Sequence, residues 1–319
     1  YLIISVWDYY YATGDRAFVS EVYDRLVQLY QFQHGRLDEQ GLVCARPGDW
    51  IFIDWAQFDR EGPQCAEQIL LWKAMDTLDR FSVLLERPSP VAPGEAEALR
   101  QRVNALFWDA AQGAYIDTFA SGRRHVTRHA NVFAVLYDFA PEKVEAILAK
   151  VLHNEAIDPI TTPYFKLFEL MALCRTGDVA AAQEMILSYW YPMLELGATS
   201  IWEQFDPREQ GAAHYAMYGD PYGRSLCHAW GSGPIYLLGR YVAGVAPTSV
   251  GYETFEAAPQ PGSYQSFAAT VPLPAGSVTV RYDAAARTVS AAATHPGGTL
   301  RFAGQCAAIP TDGEAVIRW

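Results

Sequence analysis

The pattern of apolar and polar positions divides the chain into a long helical part and a shorter β part. Up to about residue 246, apolar side chains recur every three or four positions, as on the buried face of a helix. The segment after Asp15 is typical: Phe18, Val22 and Leu26 share one face, and the acid is suited to cap the helix start. This pattern predicts about nine helices, at about 1–12, 16–33, 64–85, 95–108, 128–139, 142–153, 162–175, 178–195 and 226–243.

Two turns have the same setting and suggest an internal repeat. Leu37–Val43 and Trp108–Asp117 each follow a predicted helix, contain an acid shortly before a glycine, and run into an extended apolar piece. They recur at roughly 70 residues, a spacing that fits an array of helical hairpins. A coincidental likeness between two turns is the alternative.

The character of the chain changes after Pro247. Short runs rich in Val, Thr and aromatic residues, separated by Pro and Gly, predict antiparallel strands of a small β-sandwich. The clearest runs are 277–282, 288–290, 299–302 and 315–319. The predicted domains are therefore a helical one at 1–246 and a β-sandwich at 247–319.

Composition excludes several classes of partner. The formal net charge of the 319 residues is −12 and no basic stripe stands out, which disfavours nucleic acid and anionic membrane surfaces. No apolar run is long enough to cross a membrane. Aromatic residues make up 13% of the chain, which suits either a carbohydrate enzyme or a large aromatic core.

The five cysteines are scattered, without the paired spacing of a zinc site or a disulfide framework. They predict free buried thiols in a reducing compartment, which favours the cytoplasm. His125, His129 and His153 are not spaced to share a metal with carboxylates, so no metal and no cofactor is expected. The chain begins with Tyr1 inside an apolar helical pattern, so we expect its natural start to lie further upstream.

The stretch Thr199–Pro207 carries the strongest candidate chemistry. Glu203 lies between Trp202 and Phe205. A carboxylate can do acid or base work, while flat rings stack on the apolar faces of a sugar. We therefore predict Glu203 as a catalytic residue and Trp202 as a wall of the subsite. A loop-capping or ion-paired Glu203, and simple core packing of Trp202, are the alternatives.

Two further stretches combine polar and aromatic residues. Ser225–Gly233 contains His228 and Trp230, and His228 is predicted to bind substrate, with a buried core histidine as the alternative. Gly48–Trp55 alternates acids and aromatics and is not helical. Its predicted substrate-binding residues are Asp49, Trp50, Asp54 and Trp55, with a surface loop over core aromatics as the alternative.

These stretches resemble the bacterial α-L-rhamnosidases of glycoside hydrolase family 78. The segments that carry the resemblance are Gly197–Glu203, Ser225–Gly233, Arg240–Pro247, Gly251–Glu253 and, more weakly, Gly48–Trp55. The resemblance implies a mainly α fold, an (α/α)6 six-hairpin toroid followed by a β-sandwich. It also implies cleavage with inversion, Glu203 as the base that activates water, and a sugar contact for His228.

Twelve helices complete such a toroid, so about three are expected before Tyr1. The family's general-acid segment has no match in this sequence, and the acid is expected in that upstream part. Asp59 or Glu61 could substitute for it. His129, Asn131, Tyr164 and Phe165 lie at predicted helix starts and are weaker candidates for the mouth of the barrel.

The predicted function is an inverting glycosidase that releases terminal α-L-rhamnose from a glycoside or oligosaccharide. Three alternatives remain: a six-hairpin glycosidase of other specificity, a non-catalytic carbohydrate-binding relative, and a terpenoid-type helical toroid. The last is disfavoured because no Asp-Asp-x-x-Asp motif is present.

Overall fold

The computed structural model describes all of residues 1–319 and contains the helices that the apolar periodicity predicts. They are α1 (Leu2–Thr13), α2 (Arg16–His34), α3 (Cys65–Leu85), α4 (Glu95–Phe107), α5 (Arg128–Leu136), α6 (Val144–Ile147), α7 (Pro163–Arg175), α8 (Val179–Tyr189), α9 (Tyr191–Glu195) and α10 (Gly233–Leu237). Helix α6 is extended by a 3₁₀ turn before it and a π turn after it, and α10 continues in a π turn to Val242. With α8 and α9 counted as one stretch, there are nine continuous helical stretches, as predicted. The last one begins at Gly233, however, and not at about residue 226.

The helices form an inner and an outer row. Helices α1, α3, α5, α7 and α10 contact one another in that order, and each of α2, α4, α6 and α8 packs on the inner helix that precedes it. All nine residues of α5 are buried, whereas α2 buries a single face formed by Val19, Tyr23, Leu26 and Tyr30. A helix that is buried on every side needs neighbours all round, which places α5 in the inner row. Alternation of inner and outer helices is the predicted toroidal arrangement.

The two turns predicted as a repeat have similar hydrogen bonds, although the main-chain bond closes over three residues in the first and over four in the second. The amide of Gly41 donates to the carbonyl of Asp38 at 2.9 Å, and that of Gly113 donates to the carbonyl of Asp109 at 2.8 Å. Each aspartate side chain accepts two more amides, at 2.8 and 2.9 Å for Asp38 and at 2.9 and 3.1 Å for Asp109. Both turns connect an outer helix to the loop that leads into the next inner helix.

The C-terminal part is a two-layer β structure with its own core. The strands are β3 (Val245–Pro247), β4 (Phe255–Ala257), β5 (Ser266–Leu273), β6 (Gly276–Asp283), β7 (Thr288–Ala293), β8 (Gly298–Phe302), β9 (Gln305–Ala308) and β10 (Ala315–Arg318); β1 (Trp108–Asp109) and β2 (Ala114–Tyr115) form a small hairpin in the helical part. One sheet has the strand order β10-β7-β6-β5 and the other β3-β4-β8-β9. A separate cluster of 14 buried residues, from Ala243 to Ile317, lies between them.

Two details of the β part differ from expectation. The pairing of β4 with β8 is parallel, which is possible because three strands and their turns separate them along the chain. Strand β5 is absent from the clearest predicted runs. It contains Pro272 and only Leu273 is buried, because it lies at the edge of its sheet, where proline is tolerated. The predicted domain boundary at 246/247 falls inside β3.

All five cysteines are free, but they are not all buried as expected. Cys65 and Cys174 are buried, whereas Cys227 lies exposed in the loop before α10 and Cys306 is exposed on the edge strand β9. A separate finding is that none of the helices combines the length and apolarity needed to span a bilayer.

The loops that precede the inner helices are joined to one another by hydrogen bonds. The amide of Cys65, at the start of α3, donates to the carbonyl of Asp117 at 2.8 Å, in the loop before α5. The amide of Phe205 donates to the carbonyl of Thr161 at 2.8 Å, in the loop before α7. Inner helices therefore begin at one common face of the toroid, and the predicted site residues belong to the loops on that face.

A buried group of three charges fixes α5 against α7. Glu169 is 0% exposed and accepts from Arg128 at 2.8 Å and from Lys166 at 2.7 Å. Burial opposes its ionisation, but Lys166 and Arg128 hold the pKa of Glu169 below its ordinary value. Arg128 also donates to four carbonyls of the loop between α6 and α7, at 2.7–3.2 Å. The loop is thereby anchored to the helix start.

Replacement of Glu169 by Gln should destabilise the chain by about 3–5 kcal/mol, because two buried cations lose their counter-charge. Urea unfolding measures this. The matched control is Glu97→Gln, whose side chain is 49% exposed and pairs with Arg100, and which should cost less than about 1 kcal/mol. Equal effects of the two substitutions would contradict the role assigned to the buried group.

Candidate active site

Main-chain hydrogen bonds hold Glu203 in place. The amide of Glu203 donates to the carbonyl of Ser225 at 2.8 Å, and the amide of His228 donates to the carbonyl of Ile201 at 2.8 Å. The indole N–H of Trp230 donates to the carbonyl of Glu203 at 3.0 Å. The two stretches singled out in the sequence therefore lie side by side, and the position of Glu203 does not depend on its carboxylate.

The Glu203 carboxylate is nearly buried and has only weak contacts. The residue is 7% exposed. Its oxygens accept from the Ser225 amide at 3.2 Å and from the Tyr218 hydroxyl at 3.5 Å, and the Nδ1 atom of His228 lies 4.0 Å away. Desolvation of the hydroxyl, and then the Glu203 carboxylate, raise the pKa of Tyr218, which keeps the phenol protonated as a donor.

Glu203 differs from every other buried acid of the chain. Six carboxylates are buried, and the other five each lie within 2.9 Å of a histidine, arginine or lysine nitrogen. These pairs are Asp54 with His129, Asp59 with Arg123, Asp109 with Arg124, Asp117 with His125, and Glu169 with Arg128 and Lys166. Among these six residues, Glu203 alone has no such nitrogen closer than 4.0 Å, so lone pairs of its carboxylate remain available to a ligand or a water molecule. The half-buried Glu67, in α3, also has a buried oxygen without a partner, but it lies apart from the two stretches around Glu203 and His228.

Aromatic rings form a cluster beside Glu203. The ring of Trp230 lies 4.3 Å from that of His228, 5.2 Å from that of Tyr164 and 6.1 Å from that of Phe52, the last pair being parallel within 5°. Phe52 was not among the predicted site residues, although it belongs to the stretch Gly48–Trp55. The alternation of acids and aromatics there is the signal that could have found it.

Trp55 and Trp50 form the other side of this aromatic group. Trp55 lies 5.0 Å from Phe52 and 5.8 Å from Tyr218, whose hydroxyl reaches Glu203. Trp50 is 76% exposed and lies 6.2 Å from Trp55. Tyr218 was also missed, because it lies in an irregular loop with no spacing pattern. The structure thus brings Trp50, Trp55, His228 and Glu203 together.

The other predicted residues lie elsewhere. Trp202 is 3% exposed and packs in the core on Phe205 and Tyr215, at 6.0 and 5.6 Å between ring centroids. Asp49 forms a bidentate ion pair with Arg36, and this contact and the Arg46 amide lower the pKa of its carboxyl.

Asp54 is 0% exposed, and both its oxygens are engaged inside the protein. One accepts from the Thr162 hydroxyl at 2.5 Å and the other faces the Nε2 atom of His129 at 2.9 Å. Asp54 therefore connects the loop before α3 to the starts of α5 and α7. Its direct neighbour Trp55 is positioned by this anchor.

The weaker candidates are divided between the site and the core. Tyr164 stacks on Trp230, while Phe165 is 0% exposed. The Asn131 amide bonds the main chain of Tyr115 and Thr127 and is fully used. Asp59 is held by Arg123 and Ser121, while Glu61 lies beside it in the same loop. No group of three or more His, Cys, Asp or Glu side chains is arranged to hold a metal ion.

Solved structures with the same architecture are glycosidases. A GH78 rhamnosidase of a Bacillus species is 25% identical, with a TM-score of 0.80 over 93% of this chain. The Streptomyces avermitilis α-L-rhamnosidase, complexed with L-rhamnose, is 19% identical, with a TM-score of 0.70 over 92% of the chain. A Klebsiella oxytoca rhamnosidase with rhamnose bound is 26% identical, with a TM-score of 0.57 over 70% of the chain. No curated protein has a matching sequence.

The chain spans 32%, 28% and 43% of the lengths of these three relatives. In addition, residues 1–242 match the family model described as the bacterial alpha-L-rhamnosidase 6 hairpin glycosidase domain. This match covers all of the helical part, including both stretches of the candidate site. The chain therefore belongs to the bacterial α-L-rhamnosidase six-hairpin glycosidase family.

Proposed function

We propose that the protein is an inverting glycosidase that releases terminal α-L-rhamnose from glycosides, with Glu203 as the base that activates water. The observation that supports the proposal is that Glu203 is the one buried acidic residue with no arginine, lysine or histidine nitrogen closer than 4.0 Å, and that it lies beside a cluster of aromatic rings. A carboxylate in that setting can accept a proton from water, because no arginine or lysine competes for its lone pairs. The rhamnose bound by the Klebsiella oxytoca relative supports rhamnose as the sugar.

The surrounding residues have distinct roles in this proposal. Tyr218 and the Ser225 amide orient the Glu203 carboxylate. The rings of Trp55 and Trp230 present flat surfaces to the sugar, and His228 contacts its hydroxyl groups. Trp50 lies at the exposed edge of the same group. Asp54 acts through the loop that it anchors.

Inversion requires a second carboxyl about 6.5–9.5 Å from the base, across the anomeric carbon, to protonate the leaving oxygen. Asp59, one of the two substitutes considered for this acid, is bound by Arg123 and Ser121. An ion-paired carboxylate is a poor proton donor. These contacts make Asp59 a poor candidate for the general acid. Our prediction remains that the acid lies outside residues 1–319.

Glu203→Gln, made in the protein at its full natural length, should lower kcat on 4-nitrophenyl α-L-rhamnoside about 10²–10⁴-fold, because the amide cannot take a proton from water. Rhamnose binding, measured by calorimetry, should persist because the main-chain bonds that hold the residue are unchanged. The control is Glu195→Gln, an exposed acid on α9, which should leave kcat unchanged.

Three results would contradict parts of this assignment. If kcat of the Glu203→Gln variant stays within threefold of the wild-type value, Glu203 is not the base. A wild-type protein that binds rhamnose without hydrolysis is a carbohydrate-binding relative. Faster hydrolysis of another aryl glycoside indicates a six-hairpin glycosidase of other specificity.

The stereochemistry of the product tests inversion separately. Proton NMR of early reaction mixtures should show β-L-rhamnose first, followed by its mutarotation, because water attacks the face opposite the leaving group. Initial appearance of the α anomer would contradict inversion while leaving the rhamnosidase activity in place.

A further inference from the structure

Tyr218, which donates to Glu203 at 3.5 Å, is held in an uncommon backbone conformation. It begins the two-residue turn between Met217 and Asp220, and both central residues, Tyr218 and Gly219, have a positive φ, of 55° and 79°. Two main-chain bonds, at 3.0 and 2.9 Å, close this turn. Glycine adopts a positive φ readily, but a tyrosine does so only where surrounding contacts enforce it. The position of the Tyr218 hydroxyl therefore depends on the contacts that fix the turn.

The turn belongs to a longer loop, at 206–224, that packs on the rings flanking the proposed base. His214, in a 3₁₀ turn of this loop, is 5% exposed and lies parallel to Phe205 within 16°, at 5.1 Å between ring centroids. The next residue, Tyr215, lies 5.6 Å from Trp202. The two buried aromatic residues on either side of the base thus anchor the middle of the loop.

Arg224 joins the end of this loop to its beginning. Its guanidinium donates to both carboxylate oxygens of Glu209, at 2.8 and 3.3 Å, and to the carbonyl of His214 at 2.9 Å. Its amide donates to the carbonyl of Tyr215 at 3.0 Å. Arg224 is 6% exposed, so these contacts replace its hydration. A bidentate arginine pair shielded from water is stronger than an exposed one, and Arg224 therefore fixes the shape of the loop.

Arg224 also precedes the second group that binds the Glu203 carboxylate. The amide of Ser225 donates to this carboxylate at 3.2 Å, and the carbonyl of Ser225 accepts from the Glu203 amide at 2.8 Å. The Ser225 amide is part of the peptide group that Arg224 begins, so a displaced Arg224 would tilt it. Both donors to the carboxylate, the Tyr218 hydroxyl and the Ser225 amide, thus belong to segments that Arg224 holds.

We propose that Arg224 is a positioning residue for the base, an inference that rests on the proposed rhamnosidase function. By binding Glu209 and the His214 carbonyl, it fixes the loop that presents both hydrogen-bond donors to the base. Hydrogen bonds to an ionised carboxyl favour that form, and the base must be ionised to take a proton from water. His228, whose Nδ1 atom lies 4.0 Å from the carboxylate, is held separately by the bond of its amide to Ile201.

The pH profile of kcat/KM on 4-nitrophenyl α-L-rhamnoside, in the protein at its full natural length, tests this role. The acidic limb of the profile reports protonation of the base. Arg224→Gln and Glu209→Gln both weaken the contact between the two residues. Each should lower kcat about 3–10-fold and move the acidic limb to higher pH by about 0.5–1 unit, as expected when the base loses about one hydrogen bond.

The two substitutions change the local charge in opposite directions, which separates geometry from charge. If Arg224 acted only through its positive charge, the limb would move to higher pH in Arg224→Gln and to lower pH in Glu209→Gln. Movement to higher pH in both variants is expected only if the loop geometry matters. Arg224→Lys retains the charge and part of the contacts, and should recover part of the kcat lost in Arg224→Gln.

Arg128→Lys is the matched control for a structural effect. Arg128 is likewise 6% exposed and donates to a glutamate, Glu169, and to main-chain carbonyls, but it has no hydrogen bond to the loop at 206–224. A loss of folded protein should scale its whole profile and leave the acidic limb in place. Glu209 is 31% exposed, so Glu209→Gln provides the measurement even if Arg224→Gln does not fold.

The outcomes separate the two proposals. An acidic limb that stays in place in Glu209→Gln, or that moves to lower pH, overturns the positioning role while the wild-type activity still supports the rhamnosidase. A wild-type protein that does not hydrolyse the aryl rhamnoside overturns the proposed function and the positioning role together. A limb at higher pH in Glu209→Gln, and in Arg224→Gln where it folds, with no movement in Arg128→Lys, supports the role of Arg224.

Discussion

A buried carboxylate needs a partner, and this requirement organises the face of the helical part on which the site lies. Removing an ionised acid from water costs several kcal/mol unless hydrogen bonds or a counter-charge replace the water. Five of the six buried acids have such a partner, and the partner is often on another loop. Asp54 receives Thr162 and His129 from the starts of two different helices, more than 70 residues further along the chain. The loops before the inner helices are fixed to one another by these pairs.

The side chain of Glu203 does not need such a partner to hold its loop, because main-chain hydrogen bonds set the position of the residue. Its amide and carbonyl are both bonded, to Ser225 and Trp230, so the carboxylate is not needed to hold the loop. The Ser225 amide and the Tyr218 hydroxyl supply partial solvation, at 3.2 and 3.5 Å. The fold therefore contains two kinds of buried acidic residue, five that pair with a nitrogen of another side chain and Glu203, which is held by the main chain.

The helices were predictable because an amphipathic or fully buried helix imposes a period on the sequence itself. The limits of α3 and α7 differ from the predicted ones by a single residue. The stretches that contain Glu203 and His228 could be singled out because each is compact, combines polar and aromatic residues and has a family likeness. The roles of the two residues stay predictions. The edge strand β5 could not be predicted as clearly, because only one of its residues is buried and its sequence therefore shows little apolar pattern.

Long-range pairs could not be predicted from the sequence. Nothing local shows that Asp54 faces His129, that Asp49 pairs with Arg36, or that Trp202 points into the core while its neighbour Glu203 does not. An acid next to an aromatic residue is compatible with a sugar contact and with an internal anchor. Only the folded structure distinguishes a sugar contact from an internal anchor, because the burial of a side chain on a loop depends on elements that are far away in the sequence.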